Sequence, residues 1–286
     1  MHVGFVCSRV RKDEKLLLEE LRSRGHEVTK IDPRRGSLGL REPSLDDLDV
    51  PVDSLDVAAN REMSQSRGLY VTRFLESYGV PVVNSHETSR VCMDKIETSL
   101  ALEEAGVPTP ETHVAFTPES ALEVCETIGY PVVVKPVVGS WARLLGKLND
   151  REAAEAVFEH KKVLGSYEHD VVYLQEYVDH GGRDVRLMVR DSEVVAGMER
   201  QSDDWITNAA RGAETTGYQP DERTREAAVS AVEAVGGGVL GVDVMHTDEG
   251  PVVHEVNHTL EFKALTEASG VDIAAEYADH LEDRAR

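Results

Sequence analysis

Asp243 sits in one apolar run, Gly241–Met245, while Glu255 and Asn257 belong to the next, Val252–Val256 and the residue after it. Both runs read as buried strands. Residues two apart in a strand share a face, so Glu255 and Asn257 should project together while His254 and Val256 point the other way. With Asp243 on a neighbouring strand, three hard oxygen donors would converge. That donor set suits Mg2+, whose octahedron is completed by nucleotide phosphates and water. The alternative is a pair of solvated or salt-bridged carboxylates, because the flanking valines imply burial and a buried unpaired carboxylate is costly.

Three other stretches carry groups for anions. In VVVKPVVGSWARLLG (132–146) an apolar strand delivers Lys135, Pro136 stops any helix, and Gly139-Ser140 opens a turn that contains Arg143. A lysine there suits a phosphate, with loop backbone donors covering the rest; the plainer reading is a surface lysine with its stem on apolar ground. In QEYVDHGGRDVRLMV (175–189) Gln175 and Tyr177 alternate with Glu176 and Val178, Gly181-Gly182 turns the chain, and Arg186 follows on a strand. A cation on a half-buried strand needs an anionic partner, functional or as a structural Arg–Asp pair. In RQSDDWITNAARGA (200–213) Arg200, Asn208 and Arg211 lie in a segment too polar for core. Loop arginines of this kind hold carboxylates through two parallel bonds.

The elements that must position these groups read as three parts. His2–Val6 is strand-like, Asp13–Arg24 repeats leucines at helical spacing, and Val28–Ile31 returns as strand, a βαβ beginning. The turn after the first strand, CSRVRKDE, has no glycine for close approach to a pyrophosphate. The unit therefore reads as scaffold and substrate wall rather than a nucleotide site. A strand at 55–58, a helix near 67–78 and a strand at 80–84 complete it. A helix over 92–105, strands at 112–116 and 131–135 and a helix over 151–163 make a small α+β module. A third part should open with the strand 171–174 and hold the runs 184–189, 193–198, 241–245 and 252–256, flanked by helices over 223–235 and 271–284.

Composition narrows the classes. The 286 residues carry 31 Lys+Arg against 53 Asp+Glu, a formal charge of −22, which excludes a broad basic face for nucleic acid. Such a surface repels itself in dilute buffer and is screened at molar salt, so a halophilic, high-salt cytoplasm is expected. Cys7, Cys92 and Cys125 form no CxxC pair and read as small buried hydrophobes. No apolar stretch approaches the roughly 20 residues of a membrane span, so neither membrane nor nucleic-acid partners are expected.

Taken in order, MDKIETS (93–99), KPVVGSWARLL (135–145), QEYVDHGGRDVR (175–186), WITNAARGA (205–213) and EVNHTLEFK (255–263) resemble the ATP-grasp superfamily. Within it the chain resembles the RimK-like ligases, and most closely the LysX/ArgX family of amino-group carrier-protein ligases. The resemblance implies an α/β fold class with α+β subdomains: an N-terminal open α/β domain (1–86), a central subdomain with a lid loop (87–166) and a C-terminal subdomain with a metal site (167–286). It implies that Lys95 and Lys135 touch the phosphates of ATP and that Gly139, Ser140, Trp141 and Arg143 belong to the lid. Ala142 stands where relatives often have glycine. Gln175, Glu176 and Val178 would meet the nucleotide, with Asp179 near its ribose. Arg186, Asn208 and Arg211 would face the transferred phosphoryl group. Arg200, Asn208, Asn257, Thr259 and Lys263 would face the substrates, and Asp243, Glu255 and Asn257 would carry two Mg2+ ions, with His254 and His258 behind them or at the surface.

The activity implied is an ADP-forming ligation of the amino group of glutamate, or 2-aminoadipate, to the γ-carboxyl of the C-terminal glutamate of a small acidic carrier protein of the LysW kind, through an acyl phosphate. That chemistry serves arginine and ornithine or lysine biosynthesis. Dimers or tetramers are common among relatives, so a homo-oligomer is expected. Carrier docking should be short-range and salt-tolerant on so acidic a protein. Two alternatives stand: a RimK-like enzyme adding glutamate to a ribosomal-protein tail or a cofactor, and a catalytically silent nucleotide-binding regulator.

Overall fold

The computed structural model describes residues 1–40, 51–139, 144–165, 170–207 and 212–286. The first part alternates strand and helix: β1 (His2–Val6), α1 (Lys12–Ser23), β2 (Glu27–Ile31), β3 (Val57–Asn60), α2 (Gln65–Ser77) and β4 (Val82–Val83). Its strands form a parallel sheet in the order β2-β1-β3-β4. Parallel sheets need cover on both faces. On one face Val3 and Phe5 pack with Leu17 and Leu21 of α1; on the other Val6 and Ile31 pack with Val71 and Leu75 of α2. The segments leaving β1 and β3 at their carboxyl ends, 7–11 and 61–64, thereby come to face the rest of the molecule.

The helix expected over 92–105 is two helices, α3 (His86–Met93) and α4 (Lys95–Glu104). Asp94 divides them: its backbone is extended and its carboxylate accepts the N–H groups of Ile96 and Glu97 at 2.8 and 3.2 Å. This cap places Lys95 on the first turn of α4. Next come β5 (Thr112–Ala115), α5 (Pro118–Ile128), β6 (Val132–Lys135), β7 (Gly146–Leu148), α6 (Arg151–Leu164) and β8 (Val172–Glu176). The antiparallel sheet runs β5-β8-β6-β7. The strand expected to open the third part, β8, thus belongs to the central sheet, between β5 and β6. Helix α5, absent from the sequence reading, has a Thr117–Ser120 capping box and a proline at its first position.

The third part contains β9 (Arg183–Arg190), β10 (Glu193–Gln201), β11 (Glu214–Gly217), α7 (Glu222–Ala234), β12 (Val239–Thr247), β13 (Gly250–Asn257), α8 (Lys263–Ser269) and α9 (Ile273–Arg284). Its sheet is antiparallel in the order β11-β10-β9-β12-β13. Val185, Leu187, Val189, Leu240, Val242 and Val244 put one face against Ala228 and Val232 of α7, and Leu102 of α4 joins that core. Helix α4, expected in the central part, thus packs with the third part. On the opposite face Met188, Met198 and Val239 join the core of α1 and α9. Farther along the same strands that face turns polar, with Asp184, Arg186, Arg200 and Asp243. No helix among the described residues is long and apolar enough to cross a membrane.

Candidate functional site

Beginning with the lysines, β6 buries three valines and then Lys135, itself only 9% exposed. Its Nζ donates to Gln175 Oε1 at 2.6 Å, and the Gln175 amide donates to Thr112 Oγ1 and Tyr173 Oη at 2.9 and 3.1 Å. Gln175 is thus a connector that orients Lys135. Burial pushes the ammonium down to about 8, opposed by the Glu255 and Asp243 charges and assisted by Lys95. Lys95 donates to the Gly139 carbonyl at 2.8 Å and lies 3.9 Å from Glu255 Oε1. Two cations from separate elements therefore meet one carboxylate in one cavity.

Across the third sheet the acids and arginines sit in register. Asp184 is opposite Arg200, and Asp243 is opposite both Arg186 and Glu255. Arg186 donates from Nε to Asp243 Oδ1 at 2.7 Å and from Nη2 to Oδ2 at 2.6 Å. Arg200 Nε donates to Asp184 Oδ1 at 2.7 Å, its Nη2 donates to Oδ2, and that nitrogen also lies 3.2 Å from Asp243 Oδ2. Although burial alone would raise the Asp243 carboxyl, Arg186 and Arg200 hold it well below the usual range. Asp184 is likewise lowered by Arg200 against the effect of burial. The structural Arg–Asp reading of Arg186 is therefore realised, and it engages the expected metal ligand itself. Arg200, expected to grip substrate, lines the cavity but is 3% exposed and committed to two carboxylates.

Glu255 and Asn257 line that cavity with Asp243. His254, expected on the opposite face, lines it too, because pairing slips between Asp243 and Val244: Glu255 opposes Asp243, but Val253 opposes Val244. His254 is the extra residue of a β-bulge, which breaks the period of two. Its Nε2 lies 3.6 Å from Asp184 Oδ2. His258 also faces the cavity; burial, reinforced by the Arg61 charge, pushes its imidazole down to about 4, so it is neutral near pH 7.

For Mg2+, the donor chemistry fits: two carboxylates and an amide oxygen on adjacent strands that line one cavity. Asp243 would share its oxygens with Arg186, leaving Glu255 as the more accessible carboxylate, at 32% side-chain exposure against 2%.

Other expected residues fall as follows. Glu176, Val178, Gly139 and Thr259 line the cavity. Asp179 does not: it is exposed, and its Oδ1 accepts the Gly181 N–H at 3.2 Å, closing the turn after β8. Lys263 does not either; its side chain is exposed at the start of α8. Ser140, Trp141, Arg143, Asn208 and Arg211 lie outside the described residues. The cavity also recruits Glu62 and Met63, which the sequence reading passed over. Their signal is faint: a polar break, NRE, at the carboxyl end of a buried parallel strand, where α/β sheets place ligands.

Comparison with known proteins agrees with this layout. The LysX preATP-grasp domain family matches residues 3–91, and the RimK-like ATP-grasp domain family matches residues 92–281. Glutamate–LysW ligase ArgX of Sulfolobus acidocaldarius is 31% identical over 286 residues, covering 99% of each chain. Alpha-aminoadipate–LysW ligase LysX of Saccharolobus solfataricus is 32% identical over 266 residues, covering 92% of this chain and 94% of its own. The crystal structure of a RimK-domain ATP-grasp protein from Sphaerobacter thermophilus matches with a TM-score of 0.81 and 30% identity, covering 98% of this chain and 99% of its own.

Proposed function

This chain belongs to the RimK-like ATP-grasp family, and from that premise we propose that it is an ATP-dependent carrier-protein ligase forming a C–N bond in arginine or lysine biosynthesis. The amino substrate is a small acidic amino acid, glutamate before 2-aminoadipate, and the carboxyl activated is the γ-carboxyl of the carrier's C-terminal glutamate. One observation carries the reading. Lys95 from α4, Lys135 from β6 and Glu255 from β13 meet in a single cavity together with Asp243. That set places positive charge for phosphates beside hard oxygen donors.

Attack of a carboxylate on a phosphoryl group brings two anions together, so charge must be neutralised where the bond forms. Lys135, fixed by Gln175, and Lys95, fixed by Gly139, would hold the triphosphate of ATP. Asp243, Glu255 and Asn257 would hold two Mg2+ ions, whose charge offsets that of the phosphates when bound. Arg186, with 16% of its side chain exposed, steadies Asp243 and presents its outer edge to the reacting groups. The carrier carboxylate attacks the γ-phosphorus, the bond to ADP breaks, and an acyl phosphate forms. The amino group then attacks the acyl carbon, loses a proton and expels phosphate. The lid expected at 139–146 would keep water from the acyl phosphate.

Phosphate release measured with ATP, each amino acid and a carrier tail ending in glutamate tests this. Release should require both amino acid and carrier, with ADP as the nucleotide product. Release of AMP, or turnover without a carrier carboxylate, would overturn it.

A further inference from the structure

Part of the cavity wall is the segment from Asn257, at the end of β13, to Lys263, at the start of α8. Asn257, His258, Thr259 and Glu261 line the cavity, and Leu260 is buried in the core beneath them. The outward groups of this segment are held by the pre-ATP-grasp domain. Asn84 Nδ2 donates to the His258 carbonyl at 2.7 Å. The two Asp13 oxygens accept the N–H groups of Phe262 and Lys263 at 3.2 and 3.1 Å. Arg11 Nη1 donates to Glu261 Oε1 at 2.5 Å, while its Nε and Nη2 donate to Glu14 at 2.9 and 2.8 Å. Arg61, 1% exposed, lies 5.1 Å from the Phe262 ring centre and 3.3 Å from Glu14.

Apolar packing alone would hold such a segment without direction. Here Asp13, Glu14 and Arg61 are buried at the cost of their hydration, the Arg11–Glu261 pair is part-exposed, and together they fix orientation through short, directional bonds. Arg11 and Arg61 lie on the two segments that leave β1 and β3 at the carboxyl edge of the parallel sheet, Asp13 and Glu14 on the first turn of α1, and Glu62, next to Arg61, lines the same cavity. Neither Lys95 nor Lys135 takes part in this network, so it is separate from the groups that would hold the nucleotide.

We infer that Arg11 and Asp13 are positioning residues for the amino-acid subsite: they hold Thr259 and Glu261 in its wall, so that the pre-ATP-grasp domain sets affinity for the amine. The inference rests on the ligase reading above. A displacement of about an ångström imposed from outside a site is enough to cost up to about a hundredfold in rate, and a wall so displaced loses contacts to the bound amino acid as well.

The test is calorimetric binding of glutamate and 2-aminoadipate to the full chain saturated with a nonhydrolysable ATP analogue. Arg11→Gln and Asp13→Asn should each weaken amino-acid binding by at least about tenfold and leave analogue affinity unchanged. Because Arg11 acts through Glu261, Arg11→Gln combined with Glu261→Gln should cost no more than the worse single change. Hydrogen exchange should show faster opening of the Phe262 and Lys263 amides in Asp13→Asn, the milder change should Arg11→Gln fail to fold. Wild-type amino-acid affinity in both variants, or equal loss of analogue affinity, overturns the positioning role. A wild-type chain that binds the analogue but neither amino acid overturns the ligase reading and the subsite with it.

Discussion

Asp243 receives both donors along one edge of the Arg186 guanidinium, and Arg200 approaches the same carboxylate from β10, beyond β9. Glu255, directly opposite Asp243, has only the Lys95 ammonium at 3.9 Å as an ion-pair partner among the described residues. The two acids therefore differ in what their removal leaves behind.

Asp243→Asn should abolish turnover and also destabilise the fold, since it leaves buried guanidinium charge without its partner, a loss of about 3–5 kcal/mol. Glu255→Ala should abolish turnover with a smaller loss of stability, because its carboxylate is part-exposed, its ion pair with Lys95 is 3.9 Å long, and the buried Lys135 ammonium that its charge supports can shed its proton. Denaturant melts at molar salt, alongside phosphate release, check the contrast. Equal stability of the two variants would mean that Arg186 and Arg200 find other partners, and retained activity in Glu255→Ala would remove it from the metal site.

The strands bearing Asp243 and Glu255 were legible because valines flank both acids, and α1 because its leucines recur at helical spacing. The ion pairs were not. Arg186 and Asp243 are 57 residues apart, and only the antiparallel register of β9 with β12 brings them together. His254 misled because strict alternation assumes no inserted residue, and the bulge at Val253–Glu255 is invisible to a count of two. The apolar run of β8 marks a strand but not its sheet, since its neighbours β5 and β6 are chosen by long-range pairing. Helix α5 carries its own local signal, since Thr-Pro-Glu-Ser is a capping signature in itself.

Lys135 makes nucleotide affinity pH-dependent. With its ammonium lowered by burial to about 8, the free protein loses that charge as pH rises through 8, and phosphate binding must then recover a proton. Affinity for an ATP analogue should fall above pH 8, and proton uptake, read from calorimetry in buffers of differing ionisation heat, should appear there. Lys135→Arg should abolish the dependence. The same shift works oppositely on the ligand-free fold. Between about 8 and the ordinary lysine value near 10.4 the unfolded chain binds more protons, so this group adds stability as pH rises through that window. Flat analogue affinity from pH 7 to 9.5 would contradict the burial of a titrating lysine.

Salt should stabilise this protein. Its surface has local ion networks, such as Arg24 shared by Glu20, Asp279 and Glu282 between α1 and α9, and screening weakens them. Exposed pairs of this kind contribute about 0–1 kcal/mol each. Against them stands the mutual repulsion of a formal charge of −22, spread over the whole surface and screened once the Debye length falls to about 3 Å at 1 M. Melting temperature should therefore climb between 0.1 and 2 M KCl, in the sense of about molar concentrations needed to reach that screening. A melting temperature that stays flat would show that the acidic excess is neutral to stability, and one that falls would show that the ion networks outweigh the repulsion.

Glutamate and 2-aminoadipate differ by one methylene, which a well-shaped pocket resolves by about 1–3 kcal/mol, or roughly 10–200-fold in kcat/KM. Here the candidate wall is formed by Glu62 from one domain and Thr259 and Glu261 from the other, all in the cavity. A segment pinned from outside by Arg11 and Asp13 has little freedom to accommodate the longer chain. Competition between the two amino acids in one assay should therefore give a ratio above about ten in favour of glutamate. A ratio near one would place the distal carboxylate in open solvent, beyond reach of this wall. A ratio of similar size in the opposite sense would make 2-aminoadipate the substrate and lysine the pathway served.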